Sequence, residues 1–147
     1  MIEGPPLPLL DEDTGEFWTA AAAGRLVIQA CGGCGRLRHP PRPMCPWCRS
    51  TEATWQETSG RGRIWSYVVP HPPVLPAFAP FAPYNVCIVE LDEAPGIRIV
   101  GNLVDSPGAA INSVDPATIR IGGPVRIVFD RVADDVGLPR FVREGSE

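Results

Sequence analysis

The sequence predicts a mainly β protein: an N-terminal helix, then a four-cysteine zinc ribbon, then a five-stranded OB-fold barrel. Three observations predict it. Two C-x-x-C pairs separated by ten residues stand in CGGCGRLRHPPRPMCPWC (31–48), one short helix-compatible stretch precedes them, and short runs rich in β-branched and aromatic residues follow. A chain of 147 residues has the material for one compact domain with a small appendage. The expected divisions are a helical segment at 1–25, the ribbon at 26–57 and the barrel at 58–147.

The helix is read from DEDTGEFWTAAAAGRL. Asp13 can cap it with Glu16 three residues later, four alanines extend it, and Gly24 is placed to stop it. A helix this short is marginal without packing, so Phe17 and Trp18 must dock on the rest of the chain or on a partner.

In the ribbon each C-x-x-C makes a tight turn that brings two thiolates to one ion. Cys31, Cys34, Cys45 and Cys48 together complete a tetrahedral four-sulfur site, and four thiolates leave no open position for a catalytic water. Structural zinc is the predicted cofactor; iron fits the same donors, because a thiolate tetrahedron does not by itself select the metal. Thioredoxin-like chemistry would need a βαβ surround that the sequence lacks. Gly35 eases the first turn, Pro46 stiffens the second, and Val27, Trp47 and Trp55 are placed to cover the site.

The barrel is read from RIWSYVVP (63–70), YNVCIVEL (84–91), IRIVGNLV (97–104), PVRIVFDRV (124–132) and PRFVRE (139–144), with Gly, Pro and Asp clusters between them. Five strands is the OB-fold count. Glycines in GRGRIWSY allow the coiling that closes a small barrel, LDEAPGI reads as a hairpin turn, and SPGAAINSVDPATIRIGG supplies the long connection between the third and fourth strands.

Charge is segregated. Residues 25–63 carry seven arginines against Glu52 and Glu57, a local excess of five, while the whole chain is −4; all the basic residues are arginine. Arg36, Arg38 and Arg42 are strung between the two cysteine turns, and the sequence predicts that they are held out toward a partner or an anionic ligand. No run approaches the length of a membrane span, and the start lacks a signal-peptide order, so a cytoplasmic protein is expected.

Catalytic groups are scarce. Cys87 lies alone in an apolar strand, His39 and His71 each sit beside prolines, and no hydrolytic triad can be assembled. The expected catalytic set is therefore empty. Between Arg63 and Arg98 there is no Lys or Arg, whereas PHPPVLPAFAPFAPY (70–84) offers six prolines with Phe78, Phe81 and Tyr84. Such a loop cannot neutralise phosphates, which counts against a single-stranded nucleic-acid module, and it reads either as a rigid connector over the barrel end or as a surface for an apolar partner or acyl group.

The order FW…GRLVIQxCxxCG, PPRPMCPWC, GRGRIWSY, PYNVCIVELDE and IRIGGPVRIVF resembles the acyl-CoA-associated OB-fold proteins with a rubredoxin-like zinc ribbon, formerly a domain of unknown function, over nearly the whole chain. Arg42 falls at the arginine of that family's PPR motif. The resemblance implies a non-catalytic accessory subunit, similar to the accessory domain of steroid side-chain thiolase-like aldolases. It implies a hetero-oligomer with a thiolase-like enzyme and an acyl-CoA substrate for the complex; the basic ribbon with Arg36, Arg38 and Arg42 and the apolar loop with Phe78, Phe81 and Tyr84 supply the candidate contacts to partner or acyl-CoA. It equally admits a hot-dog-fold enoyl-CoA hydratase or an acyl-condensing thiolase as the partner.

Overall fold

A computed structural model describes residues 5–144. Helix α1 is Gly15–Ala22. The cap differs from the sequence expectation, because Asp11 Oδ1, not Asp13, accepts the backbone N–H groups of Asp13 (3.0 Å) and Thr14 (2.7 Å) and the Thr14 hydroxyl (2.9 Å). The Asx turn so formed orders the residues ahead of the helix without a side-chain bond from Thr14, its N-cap. The stop is as expected: Gly24 has φ +83°, its N–H bonds Ala21 O, and Arg25 N–H reaches back to Ala20 O, the paired bonds of a Schellman ending.

Strands β1 (Leu26–Cys31), β2 (Leu37–Arg38) and β3 (Ala53–Thr58) make a three-stranded antiparallel sheet in the order β2-β1-β3. β1 is the central strand and is buried along its whole length, which its apolar run LVIQAC allows.

The barrel comprises β4 (Arg61–Val68), β5 (Val86–Leu91), β6 (Arg98–Leu103), β7 (Pro124–Ala133) and β8 (Val136–Arg143). It closes in the order β4-β5-β6-β8-β7, antiparallel throughout except for the β6–β8 pair. β5 alternates inward Cys87, Val89 and Leu91 with half-buried neighbours, the period of a strand with one face in the core. Phe141 fills the barrel centre with no exposure; Gly101 opposite it leaves the space, since a Cβ there would lie 2.9 Å from Phe141 Cε2 and 2.7 Å from Pro139 O. At Gly62 a side chain would collide with Glu90 O and stand 2.7 Å from Val89 Cγ1, so the first barrel turn depends on that glycine.

Asn85 is fully buried and ties β5 to β6: its Nδ2 donates to Leu103 O (2.9 Å), its Oδ1 accepts from Leu103 N (2.7 Å), and its own carbonyl accepts from Asn102 Nδ2 (2.5 Å). Phe17 and Trp18 dock within the chain. Phe17 is buried in the core cluster with Leu26 and Ile28, and Trp18 stands edge-on to it at 5.0 Å. Backbone approach at Gly137, where a side chain would collide with Ala21 O, seats α1 directly on β8.

Candidate metal centre and barrel face

The sulfur atoms of Cys31, Cys34, Cys45 and Cys48 lie within 4.8 Å of one another. Two knuckles bring them there. N–H groups of Gly33 (3.2 Å) and Cys34 (3.3 Å) point at Cys31 Sγ, and those of Trp47 (3.4 Å) and Cys48 (3.5 Å) at Cys45 Sγ. Each knuckle closes through a residue with positive φ, Gly35 at +78° in the first and Arg49 at +66° in the second. The Cys34 N–H is the largest influence on Cys31 and holds its thiol down at about 6, against burial that pushes it up. The donor set fits one four-coordinate, thiophilic ion on its geometry: four sulfurs brought together, amides aimed at Cys31 and Cys45, and Gly33, where a Cβ would crowd Cys48 Sγ at 3.3 Å. The cysteines could hold it with no position left for water.

Trp55 packs on the core cluster and Val27 is buried, but Trp47 is 54% exposed and stands at the ribbon tip beneath the Arg36 guanidinium, 5.1 Å from the ring centre. It does not cover the site. The three ribbon arginines also part company. Arg36 and Arg42 are exposed. Arg38, expected to be held outward, is buried to 4%: its Nε donates to Gln29 Oε1 (2.6 Å) and its Nη2 to Arg42 O (3.2 Å), while Gln29 Oε1 also accepts Arg42 N (2.8 Å). The reason is strand parity. Leu37 and Arg38 pair with Ala30 and Gln29 of a wholly buried strand, and that register turns the Arg38 side chain onto Gln29. Arg38 thus shapes the loop that displays Arg42.

Cys87 is sealed in the barrel core, where burial pushes its thiol up to about 11. His39 lies against Phe17 at 5.2 Å, and burial holds its imidazole down at about 4, so it is neutral at pH 7. His71 is exposed, its Nδ1 2.9 Å from Val69 O.

The Pro-rich segment carries one turn of 3-10 helix at Ala79–Phe81 and folds against the barrel wall. It brings the three predicted aromatics to one region. Phe78 and Tyr84, 5.8 Å apart, line a cavity of about 330 Å³ with Trp18, Val100 and Ile111; Phe78 and Phe81 line a second of about 400 Å³ with Ile111, Leu138 and Arg140. A third, about 370 Å³, lies between α1, the His39–Pro41 turn and β6, and shares Trp18, Val100 and Pro139 with the first. Sequence reasoning missed Trp18, Val100 and Arg98 as members of this face. Its one available signal was the exposed alternation of Arg98 and Val100 along β6.

Among the described residues no helix is long and apolar enough to cross a membrane. Residues 18–53 match the rubredoxin-like zinc ribbon domain of ChsH2, and residues 55–130 match the ChsH2 C-terminal OB-fold domain. The chain belongs to the ChsH2 family. It is 40% identical over 92% of its length to the "Probable enoyl-CoA hydratase alpha subunit" of Thermomonospora curvata, and 36% identical over 83% to the 3-oxo-4,17-pregnadiene-20-carboxyl-CoA hydratase alpha subunit of Mycobacterium tuberculosis. It spans only 39% and 35% of those two relatives' lengths. Among solved structures it is similar to a chain of the Ltp2-ChsH2(DUF35) aldolase, with 39% identity and a TM-score of 0.77, covering 93% of this chain and 98% of that one.

Proposed function

We propose that this ChsH2-family chain is a non-catalytic accessory subunit of a thiolase-like acyl-CoA aldolase, a lyase of steroid side-chain breakdown, in which it supports assembly and acyl-CoA binding. The observation that supports this reading is the likeness to the Ltp2-ChsH2(DUF35) aldolase chain over nearly the full length of both. In this reading zinc occupies the four-thiolate site and fixes the ribbon, with iron as the alternative the same donors accept. Arg36 and Arg42 meet an acidic partner face or coenzyme A phosphates, while Phe78, Phe81 and Tyr84 meet the partner or the acyl group. The reacting groups belong to the partner.

Co-expression with a thiolase-like partner tests this. The complex is expected to cleave a β-hydroxyacyl-CoA into a carbonyl product and a shortened thioester, and this chain alone to cleave nothing. Equal turnover by the partner alone would overturn the proposal. A hydratase complex is the second reading, favoured by the names of the two curated relatives. Water addition to an enoyl-CoA by this chain with a hot-dog-fold partner, without aldol cleavage, would decide for it.

A further inference from the structure

We infer that the outer face of β6 is the floor of a binding trench for an apolar chain ending in an oxyanion, with Arg98 as the cation that anchors it. The inference deepens the acyl-CoA reading above and rests on it. Arg98, Val100 and Asn102 are the outward positions of β6, and four residues of strand span about 13 Å. Val100 is 56% exposed and lies on both the 370 Å³ and the 330 Å³ cavity, so the two are successive stretches of one trench.

The two ends differ in charge. The Arg98 guanidinium carbon stands over the Trp65 ring, 3.9 Å from its centre. Trp65 sits at a β-bulge between Ile64 and Ser66, which accounts for its outward, 47% exposed position. Among the described residues no carboxylate lies within ion-pair distance of Arg98, and its guanidinium makes no hydrogen bond. Its cross-strand neighbour Glu90 is turned away, with Oε2 accepting Gly96 N–H at 2.8 Å. The donors of the planar guanidinium are therefore free, and the indole beneath them restrains where the group sits.

At the other end Arg140 is already paired with Asp130 at 3.5 Å. Between the two ends the walls are mainly apolar, with Phe17, Trp18, Pro40, Pro139, Phe78 and Tyr84; Thr14, His39 and Asn102 are the polar exceptions, and no acid lies on either cavity wall. Such a site attracts one negative charge at its Arg98 end and buries the chain behind it. The carboxylate of a free acid carries that charge at the end of its chain; a phosphate of an acyl-CoA shares the charge and stands one pantetheine arm away from the acyl group.

Dodecanoyl-CoA, dodecanoate, coenzyme A and dodecyltrimethylammonium, each below its micellar concentration, would be titrated into the metal-loaded full chain by calorimetry and tryptophan fluorescence. Saturable binding of an anionic chain is expected, about tenfold or more tighter than coenzyme A alone or the cationic analogue, and about tenfold weaker in Arg98→Ala. Val100→Glu should abolish it. Binding of dodecanoyl-CoA alone assigns the oxyanion to phosphate; binding of dodecanoate assigns it to a carboxylate. Both positions are exposed, so metal content and unfolding midpoint should match the parent; Arg98→Gln and Trp65→Leu test the anchor independently if Arg98→Ala does not fold. No binding of either anionic chain, parental affinity in the Arg98 and Val100 variants, or equal binding of the cationic analogue overturns the trench. Trench failure with an active aldolase complex leaves the proposed function standing. Binding here with a complex that cleaves nothing refutes the function alone.

Discussion

Replacing Gln29 with Leu tests whether the buried arginine of the ribbon depends on a single amide oxygen. Gln29 and Arg38 are each 4% exposed, and Gln29 Oε1 accepts both Arg38 Nε at 2.6 Å and Arg42 N at 2.8 Å. Leucine removes the acceptor at nearly constant volume. A hydrogen bond to a charged group contributes roughly 1.5–3 kcal/mol, and leaving a buried donor unmet costs about as much again. Nη1 of Arg38 already lacks a partner, so the guanidinium has little slack with which to re-pair. A loss of about 3 kcal/mol follows from the lower end of those two contributions, a large part of a marginal folding free energy. For a chain of this size it corresponds to a melting midpoint roughly 6–12 °C lower. The assay is thermal unfolding followed by circular dichroism at fixed excess zinc, since bound metal shifts apparent stability by mass action. A double variant, Gln29→Leu with Arg38→Met, removes donor and acceptor together and should recover most of the loss. An unchanged midpoint in Gln29→Leu, or a double variant as unstable as the single, would refute the reasoning.

Three further outcomes are expected. Cys31→Ser or Cys45→Ser should lower bound metal per chain, measured by elemental mass spectrometry, and lower the unfolding midpoint, because metal binding and folding of the ribbon are one equilibrium. His39 carries a folded-state value of about 4 against its ordinary 6.5, so its neutral form stabilises the fold fully above pH 6.5 and that stability is lost as pH falls toward 4; the integrated effect is about 3 kcal/mol, and His39→Leu should flatten the stability profile over that window in parallel denaturant titrations. Phe17→Ala, at a 4% exposed position in the core cluster, should cost about 3–5 kcal/mol in urea unfolding, and a cost below 1 kcal/mol would show that the helix is not anchored there.

The elements that could be read from the sequence are those fixed by local chemistry. The β-branched run in VCIVEL set β5, Gly24 set the end of α1, and two C-x-x-C turns set the metal site, because each of these signals acts within a few residues. What escaped is decided at long range. Arg38 turns inward because a knuckle delivers Leu37 opposite Ala30, a register that no local pattern encodes. Trp65 and Arg98 come together across a bulge and two strand pairings. The N-cap fell at Thr14 and not Asp13, because Asp11 Oδ1 gathers the N–H groups of Asp13 and Thr14 in a turn ahead of the helix.

Helix α1 meets both β1 of the ribbon and β7 and β8 of the barrel, and at Gly137 the contact is main chain on main chain. No rotamer change can relax such a seam. The two β units are consequently a single tool head with a fixed jaw: cutting the chain before β4 would strip the barrel of its lid and bare Ala20, Ala21 and Gly137 to water, so neither half is a portable module. In any larger assembly, the thiolate knuckles and the β6 face must therefore arrive together, at one set spacing, whichever of them a neighbour grips first.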